Sequence, residues 1–274
     1  MTFEVAKLGA AELAAQYRAK TLSPVEAALA ALAQIERLNG AVNAFCLVDA
    51  ERALADARAS EDRFMRGEPL GPLDGVTATI KDLLLSKGWP TLRGSRTIDP
   101  NQPWEEDAPS VARMREQGAV FLGKTTTPEF GWKGVTDSAL CGITRNPWDL
   151  SKTPGGSSGG AAVAAALCMG ALHLGTDGGG SIRIPAGFTG VTGIKPTFGR
   201  VPAYPPSPFG DVAHVGPITR SAKDAAMMLE AIGKPDARDW LALPFPPPSY
   251  LESIERGVKG VRIAYCPELG GAKA

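Results

Sequence analysis

The sequence predicts an α/β layered domain, and three observations carry that prediction. Apolar residues recur at helical spacing through the first quarter of the chain, short β-branched runs break that pattern from residue 76 onward, and Gly/Pro-rich turns separate the two kinds of segment. With 44% apolar and 21% charged residues, a chain of 274 residues can also bury a sizeable core. Global disorder is excluded on the same grounds.

The elements follow in order. Ser23-Pro24-Val25-Glu26 supplies a capping hydroxyl, a proline at the first helical position and a glutamate three residues after the cap, which together form a capping box. Behind it Val25, Ala28, Leu29, Leu32 and Ile35 keep helical spacing, so a helix is predicted over 24–38, stopped by Asn39-Gly40. Ala10–Ala19 and Ala50–Arg66 read as two further Ala-rich helices. Residues 67–75 form a Pro/Gly turn region, and the β-branched run 76–80 reads as a buried strand. A helix over 109–117 and a strand over 119–122 come next. The apolar stretch 161–174 is mostly alanine, contains His173 and falls short of the roughly 20 residues a membrane span needs. It reads as a buried helix. The Pro-rich segments 202–208 and 244–248 are predicted loops, and 261–265 a strand.

Charge narrows the function classes. With 29 basic and 29 acidic residues, nothing points to direct contact with nucleic acid or with a membrane surface, and a small near-neutral ligand is favoured. Cys46, Cys141, Cys168 and Cys266 show no Cys-x-x-Cys spacing, so neither a disulfide framework nor a zinc site is indicated; they read as buried apolar residues in a reducing compartment. The first 20 residues lack the pattern of a secretory signal, which places the protein in the cytoplasm.

Two clusters could carry chemistry: Gly155-Gly156-Ser157-Ser158-Gly159-Gly160 and Thr176-Asp177-Gly178-Gly179-Gly180-Ser181-Ile182-Arg183. Gly/Ser runs are commonly linkers, but both of these are embedded in apolar, structured sequence. Three glycines before a serine let backbone N–H groups converge on one point, as in an anion nest. A hydroxyl nucleophile there has its oxyanion stabilised by its own loop, an effect of roughly 3 to 4 kcal/mol per donor. The residues around Ser157 also match the Gly-x-Ser-x-Gly nucleophile elbow, yet Asn146-Pro147-Trp148-Asp149 is not the strand that motif requires.

A serine needs a base. His173 and His214 both suit structural roles. Lys81 ends the apolar strand 76–80; it can run out to solvent along its stem, or it can be a base tuned by burial. Working near neutral pH requires a drop of about 3 units from 10.4, or about 4 kcal/mol, which burial can supply.

These residues, with Gly175 through Ala186, Gly193-Ile194-Lys195-Pro196-Thr197, and the lead-in of Lys81-Asp82, Gly94-Ser95, Gly123-Lys124, Glu129-Phe130 and Asn146-Pro147-Trp148, resemble the amidase signature family. The resemblance implies a mixed central β-sheet covered by helices on both faces. It also implies a Ser, cis-Ser, Lys triad acting on an amide without a cofactor or a metal: Ser181 as nucleophile, Ser157 as the bridging serine in cis geometry, Lys81 as general base. Gly131 falls where the acyl pocket is lined, and the N–H groups of Gly178, Gly179, Gly180 and Ser181 are expected to hold the oxyanion. Ser158, Asp177 and Arg183 are expected to brace the loops. Gly178 departs from the Thr or Ile common at its position.

By the same resemblance the chain is a single domain over 1–274, with a helical lead-in over 1–66, a catalytic core over 67–233 and the start of a C-terminal part over 234–274. Family domains run further, so the fold is expected to be incomplete at its C-terminus, with exposed sheet edge favouring a homo-oligomer. The implied substrate is a small-molecule amide, small or aryl. Two other readings stand beside it: the glutaminase-type A subunit of a tRNA-dependent amidotransferase, which commonly has Gln where this chain has Ile184, and a catalytically silent remnant.

Overall fold

The structure, a computed structural model, describes residues 2–266. Helices α1 (Thr2–Ala6), α2 (Ala10–Ala19) and α3 (Pro24–Val42) open the chain; strand β1 (Phe45–Val48) and helix α4 (Ala50–Arg66) complete the lead-in. Then come β2 (Thr77–Lys81), α5 (Pro109–Glu116), β3 (Val120–Thr125) and the short hairpin β4 (Asp137–Ser138) and β5 (Gly142–Ile143). Helix α6 (Gly159–Ala166), β6 (Leu172–Asp177), α7 (Arg183–Thr189), β7 (Thr192–Gly193), β8 (His214–Thr219), α8 (Ala222–Ile232) and α9 (Tyr250–Glu255) follow.

Six strands form one mixed sheet in the order β1-β3-β2-β6-β8-β7. The central pairs β2/β3 and β2/β6 are parallel, and β1, β8 and β7 join antiparallel to their neighbours. Strands β2 and β3 are buried along their whole length, as parallel strands covered on both faces are. Side chains alternate accordingly. Ala78, Ile80, Phe121, Leu172 and Leu174 enter a core shared with Leu13 and Tyr17 of α2, Val111 and Met114 of α5, and Met227 and Met228 of α8. Val120 and Leu122 point the other way, to a core with Ala28 and Ile35 of α3, Ala57 of α4 and Val163 of α6. The mixed sheet with helices on both faces is as the resemblance implied.

Four of the sequence expectations about elements and burial are corrected. The third helix starts on its capping box, with Ser23 Oγ accepting from Val25 N–H at 3.0 Å and the Glu26 carboxylate from Ser23 N–H at 2.8 Å. It runs through Gly40, however, and ends where Asn43 turns left-handed (φ 52°) and Asn39 Oδ1 accepts from Ala44 N–H. Burial of Val42 offsets the roughly 1 kcal/mol that an interior glycine costs. The apolar stretch 161–174 is not one helix: the left-handed Cys168 (φ 58°) and Gly170 (φ 114°) turn the chain, and residues 172–177 become β6. An apolar run fits a buried helix or a buried strand equally, and here pairing between β2 and β8 decides. Residues 261–265 form no strand. Their backbone meets no sheet edge among the described residues, and Val261, Ile263 and Tyr265 are exposed. The expected burial of the cysteines is likewise corrected, since Cys46 and Cys266 are exposed, Cys141 is half-buried and Cys168 alone is buried.

The Pro-rich segments 202–208 and 244–248 are loops. No helix among the described residues is long and apolar enough to cross a membrane.

Candidate active site

Lys81 is the last residue of β2. The alternation that sends Ala78 and Ile80 into one core sends Thr79 and Lys81 to the opposite face, toward α6 and the loop before it. There the Lys81 ammonium nitrogen, wholly buried, lies 2.7 Å from Ser157 Oγ, 2.8 Å from Ser158 Oγ and 2.8 Å from Thr176 Oγ1. No carboxylate forms an ion pair with it among the described residues. Burial therefore pushes its pKa well below the ordinary lysine value, against a weaker opposing pull from Asp177.

The loop before α6 supplies two of those hydroxyls. Ser158 is saturated: its hydroxyl donates to Thr176 C=O at 3.1 Å, and its oxygen accepts from Thr176 N–H at 3.2 Å as well as from Lys81. Ser158 N–H also donates to the Ser181 carbonyl at 3.1 Å, tying the two Gly/Ser loops together. Ser157 has Lys81 as its single hydrogen-bond partner among the described residues. The Gly156-Ser157 peptide bond is cis.

Asp177, at the end of β6, organises the second loop. Its carboxylate accepts from the N–H groups of Gly180 (2.7 Å), Ile182 (3.1 Å) and Arg183 (3.3 Å), and Arg183 clamps both oxygens at 2.9 Å. Burial opposes its charge, but these donors outweigh burial and hold its pKa down to about 2. The bond to Gly180 removes that N–H from the expected oxyanion donors. The N–H groups of Gly178, Gly179 and Ser181 have no hydrogen-bond partner among the described residues. Gly180 has φ 116°, and a Cβ on it would meet Ile184 Cδ1 at 2.7 Å, so the bend requires glycine.

A cavity of about 430 Å³ opens over these loops. Ser157, Ser181, Gly131, Gly178 and Gly179 line it, whereas Lys81 lies behind Ser157. Gly131 (φ 69°) stands where a Cβ would come within 3.3 Å of Ser157 Oγ and 2.6 Å of Leu83 Cδ1. The opposite wall is apolar: Trp132 stacks on Phe209 with ring centroids 5.5 Å apart, and Phe130, Tyr204 and Ile184 lie beside them. Thr176 falls within a candidate cluster of the sequence but was given no role there, and the aromatic wall was not marked at all. Thr176 ends an apolar run, which is a weak signal; only the pairing of β2 with β6 carries it to Lys81.

Neither histidine contacts either serine. His173 is wholly buried on β6, bonded through Nδ1 to Thr79 Oγ1 at 2.8 Å, and burial lowers its pKa to about 3. His214 lines the cavity, but its nitrogens meet the carbonyls of Val212 and Asp177 and the Lys195 amine. A second buried lysine, Lys124, pairs with Asp82 at 3.1 Å and bonds Thr91 Oγ1 and the Pro90 carbonyl.

Known proteins share this chain's sequence and fold over most of its length. It is 43% identical over 264 residues to an acylamidase of Rhodococcus erythropolis, covering 96% of this chain and 55% of that protein. It is 42% identical over 261 residues to the A subunit of the glutamyl-tRNA(Gln) amidotransferase of Anaeromyxobacter sp. (strain K), covering 95% and 53%. Among solved structures, a bacterial aryl acylamidase of the amidase signature enzymes superposes with a TM-score of 0.85 at 34% identity, covering 92% of this chain and 53% of the other. The chain thus spans about half the length of the relatives it matches. The family described as Amidase matches residues 26–274, from within α3 onward, and on that match the chain belongs to the amidase family.

Proposed function

We propose that this chain hydrolyses carboxamides to a carboxylate plus ammonia or an amine, through an acyl-enzyme on Ser181, with Ser157 as relay and Lys81 as base. One observation carries the reading: a buried lysine without a carboxylate partner touches a serine that faces the same cavity as a second serine on a glycine loop.

The hydrogen bonds around Lys81 support a specific proton arrangement. Ser158 spends its one proton on the Thr176 carbonyl, so it accepts from Lys81. Thr176 Oγ1 accepts a second Lys81 proton. A neutral amine then has its lone pair left to accept the Ser157 hydroxyl proton across the 2.7 Å separation of the two atoms. Ser181 Oγ loses its proton through Ser157 to Lys81 as it attacks the amide carbon. The carbonyl oxygen becomes an oxyanion held by the N–H groups of Gly178, Gly179 and Ser181. Collapse breaks the C–N bond, and the stored proton returns through Ser157 to the leaving nitrogen. Water then repeats the sequence on the ester, releasing the carboxylate and restoring Ser181. Gly131, beside Ser157, leaves room for the acyl group.

The apolar wall favours an aryl or alkyl amide over glutamine. Ile184 presents methyl groups to the cavity where the glutaminase-type relatives commonly carry Gln. The likeness to amidotransferase A subunits keeps glutaminase activity as the second reading.

The test is turnover of 4-nitroacetanilide and of glutamine by the purified chain and by Ser181→Ala. Release of 4-nitroaniline and labelling by a fluorophosphonate, both lost in the variant, are the expected results. Labelling that survives in Ser181→Ala excludes Ser181 as nucleophile, and turnover of glutamine alone favours the second reading.

A further inference from the structure

We propose that the part of the cavity lined by Arg93 and Ser110 binds a carboxylate carried by the amide substrate, so that the chain prefers acidic amides to neutral ones. The inference rests on the hydrolase reading for the word substrate; the subsite itself rests on four separate observations.

The first is charge. Arg93, Lys133 and Asp177 are the formally charged residues that line the cavity. Lys133 is paired with Asp137 at 2.7 Å, and Asp177 is saturated by Arg183 and the loop N–H groups. Arg93 has no carboxylate partner and no side-chain hydrogen bond among the described residues. A guanidinium in an otherwise apolar wall is an unanswered cation with a fork shaped for a carboxylate.

The second is an unsatisfied hydroxyl. Ser110 Oγ is fully buried without a hydrogen-bond partner among the described residues, and Ser110 lines the same cavity. Buried hydroxyls normally find a partner, so this one retains hydrogen-bonding capacity that a ligand can use. Ser110 also sits in the first turn of α5, whose start carries no side-chain cap, so the free N–H end of that helix adds positive potential. The backbone joins the two regions: Ala108 N–H donates to the Leu85 carbonyl at 3.0 Å, and Thr91 Oγ1 donates to the Leu84 carbonyl at 3.2 Å.

The third is backbone conformation. Five non-glycine residues have positive φ among the described residues. Lys20, Asn43 and Cys168 lie at the ends of α2, α3 and α6, where such geometry is ordinary. Arg93 (φ 54°) and Phe130 (φ 49°) do not follow those helices; they are joined by a bond from Phe130 N–H to the Arg93 carbonyl at 2.8 Å, and both line the cavity. Left-handed geometry at a side chain as large as arginine costs about 1 kcal/mol, a strain that clusters at ligand sites. The fourth is the neighbouring aromatic surface of Phe130 and Trp132, which suits a planar ring between the carboxylate and the scissile amide.

The test compares two planar isosteres, 4-carbamoylbenzoate and the neutral 4-nitrobenzamide, by calorimetric titration into the Ser181→Ala protein, which does not consume them. The carboxylate should bind about tenfold more tightly. Adding Arg93→Gln should bring the two within about twofold, Arg93→Lys should restore part of the preference, and Ser110→Ala should weaken the carboxylate alone by a few-fold, with thermal denaturation showing each variant folded. Equal affinities, no binding of either compound, or a preference unchanged in Arg93→Gln overturns the proposal. Turnover of 4-nitrobenzamide by the parent chain reads the hydrolase assignment separately: binding with the stated preference but no turnover sinks that assignment and leaves the subsite standing.

Discussion

Lys81 and Lys124 are both wholly buried near the ends of neighbouring parallel strands, yet Lys124 touches a carboxylate and Lys81 touches three hydroxyls. Burial lowers both pKa values, but Asp82 opposes the shift at Lys124 by direct contact, whereas Asp177 acts on Lys81 without an ion pair. One lysine ties the strand ends together through an ion pair; the other sits among hydroxyls without one.

The two should respond differently to replacement by methionine. Lys124→Met leaves Asp82 buried without its partner and is expected to destabilise the fold by roughly 3 to 5 kcal/mol. Lys81→Met removes an amine that has no charge partner, so stability should change by no more than about 1 to 2 kcal/mol while turnover falls by at least about a thousandfold. Urea denaturation and an aryl amide assay check both. A Lys81 variant that keeps its rate would show that the proton goes elsewhere.

Activity should depend on pH through Lys81. The proposed relay needs the neutral amine, so kcat/KM should rise as pH climbs through the depressed pKa and reach its plateau below the ordinary lysine value of 10.5. The rising limb is the measurement. A limb centred at 10.5 would mean that the base is a solvated lysine and that burial does not tune it.

Adjacent serines should separate function from support. Ser157→Ala removes a hydroxyl bonded, among the described residues, only to Lys81 and should abolish turnover with little loss of stability. Ser158→Ala strips Thr176 N–H and C=O of their partner, an expected cost of about 1 to 3 kcal/mol, and reduces turnover less. If the two variants melted alike and lost equal activity, the distinction between relay and brace would fail.

His173 should contribute to acid sensitivity. Its folded pKa of about 3 lies below the ordinary 6.5, because burial disfavours the charged ring, so the unfolded chain binds the proton more readily. Stability from this group is complete above pH 6.5 and is lost as pH falls from 6.5 toward 3, with a slope approaching about 1.4 kcal/mol per unit. In His173→Gln that part of the slope should vanish. Chemical denaturation at a series of pH values reads it directly.

Much of this protein was determined by sequence alone. Local rules act over a few residues, so the capping box at Ser23, the helices Ala10–Ala19 and Ala50–Arg66, and the β-branched run leading to Lys81 were legible where they stand. The serines and glycines of the two loops were legible because a pattern that long and ordered is specific. Tertiary structure decided what depends on distant partners. Residues 161–174 carry no period that separates helix from strand, and the open edge between β2 and β8 made the second half a strand. Residues 261–265 look like a strand but meet no neighbour to pair with among the described residues. Whether Gly180 offers its N–H to a ligand was settled by Asp177 reaching it first. The lowered pKa of Lys81 was decided the same way, since no carboxylate comes within ion-pair distance of its amine among the described residues, a fact written in the packing of separate segments and in none of them singly.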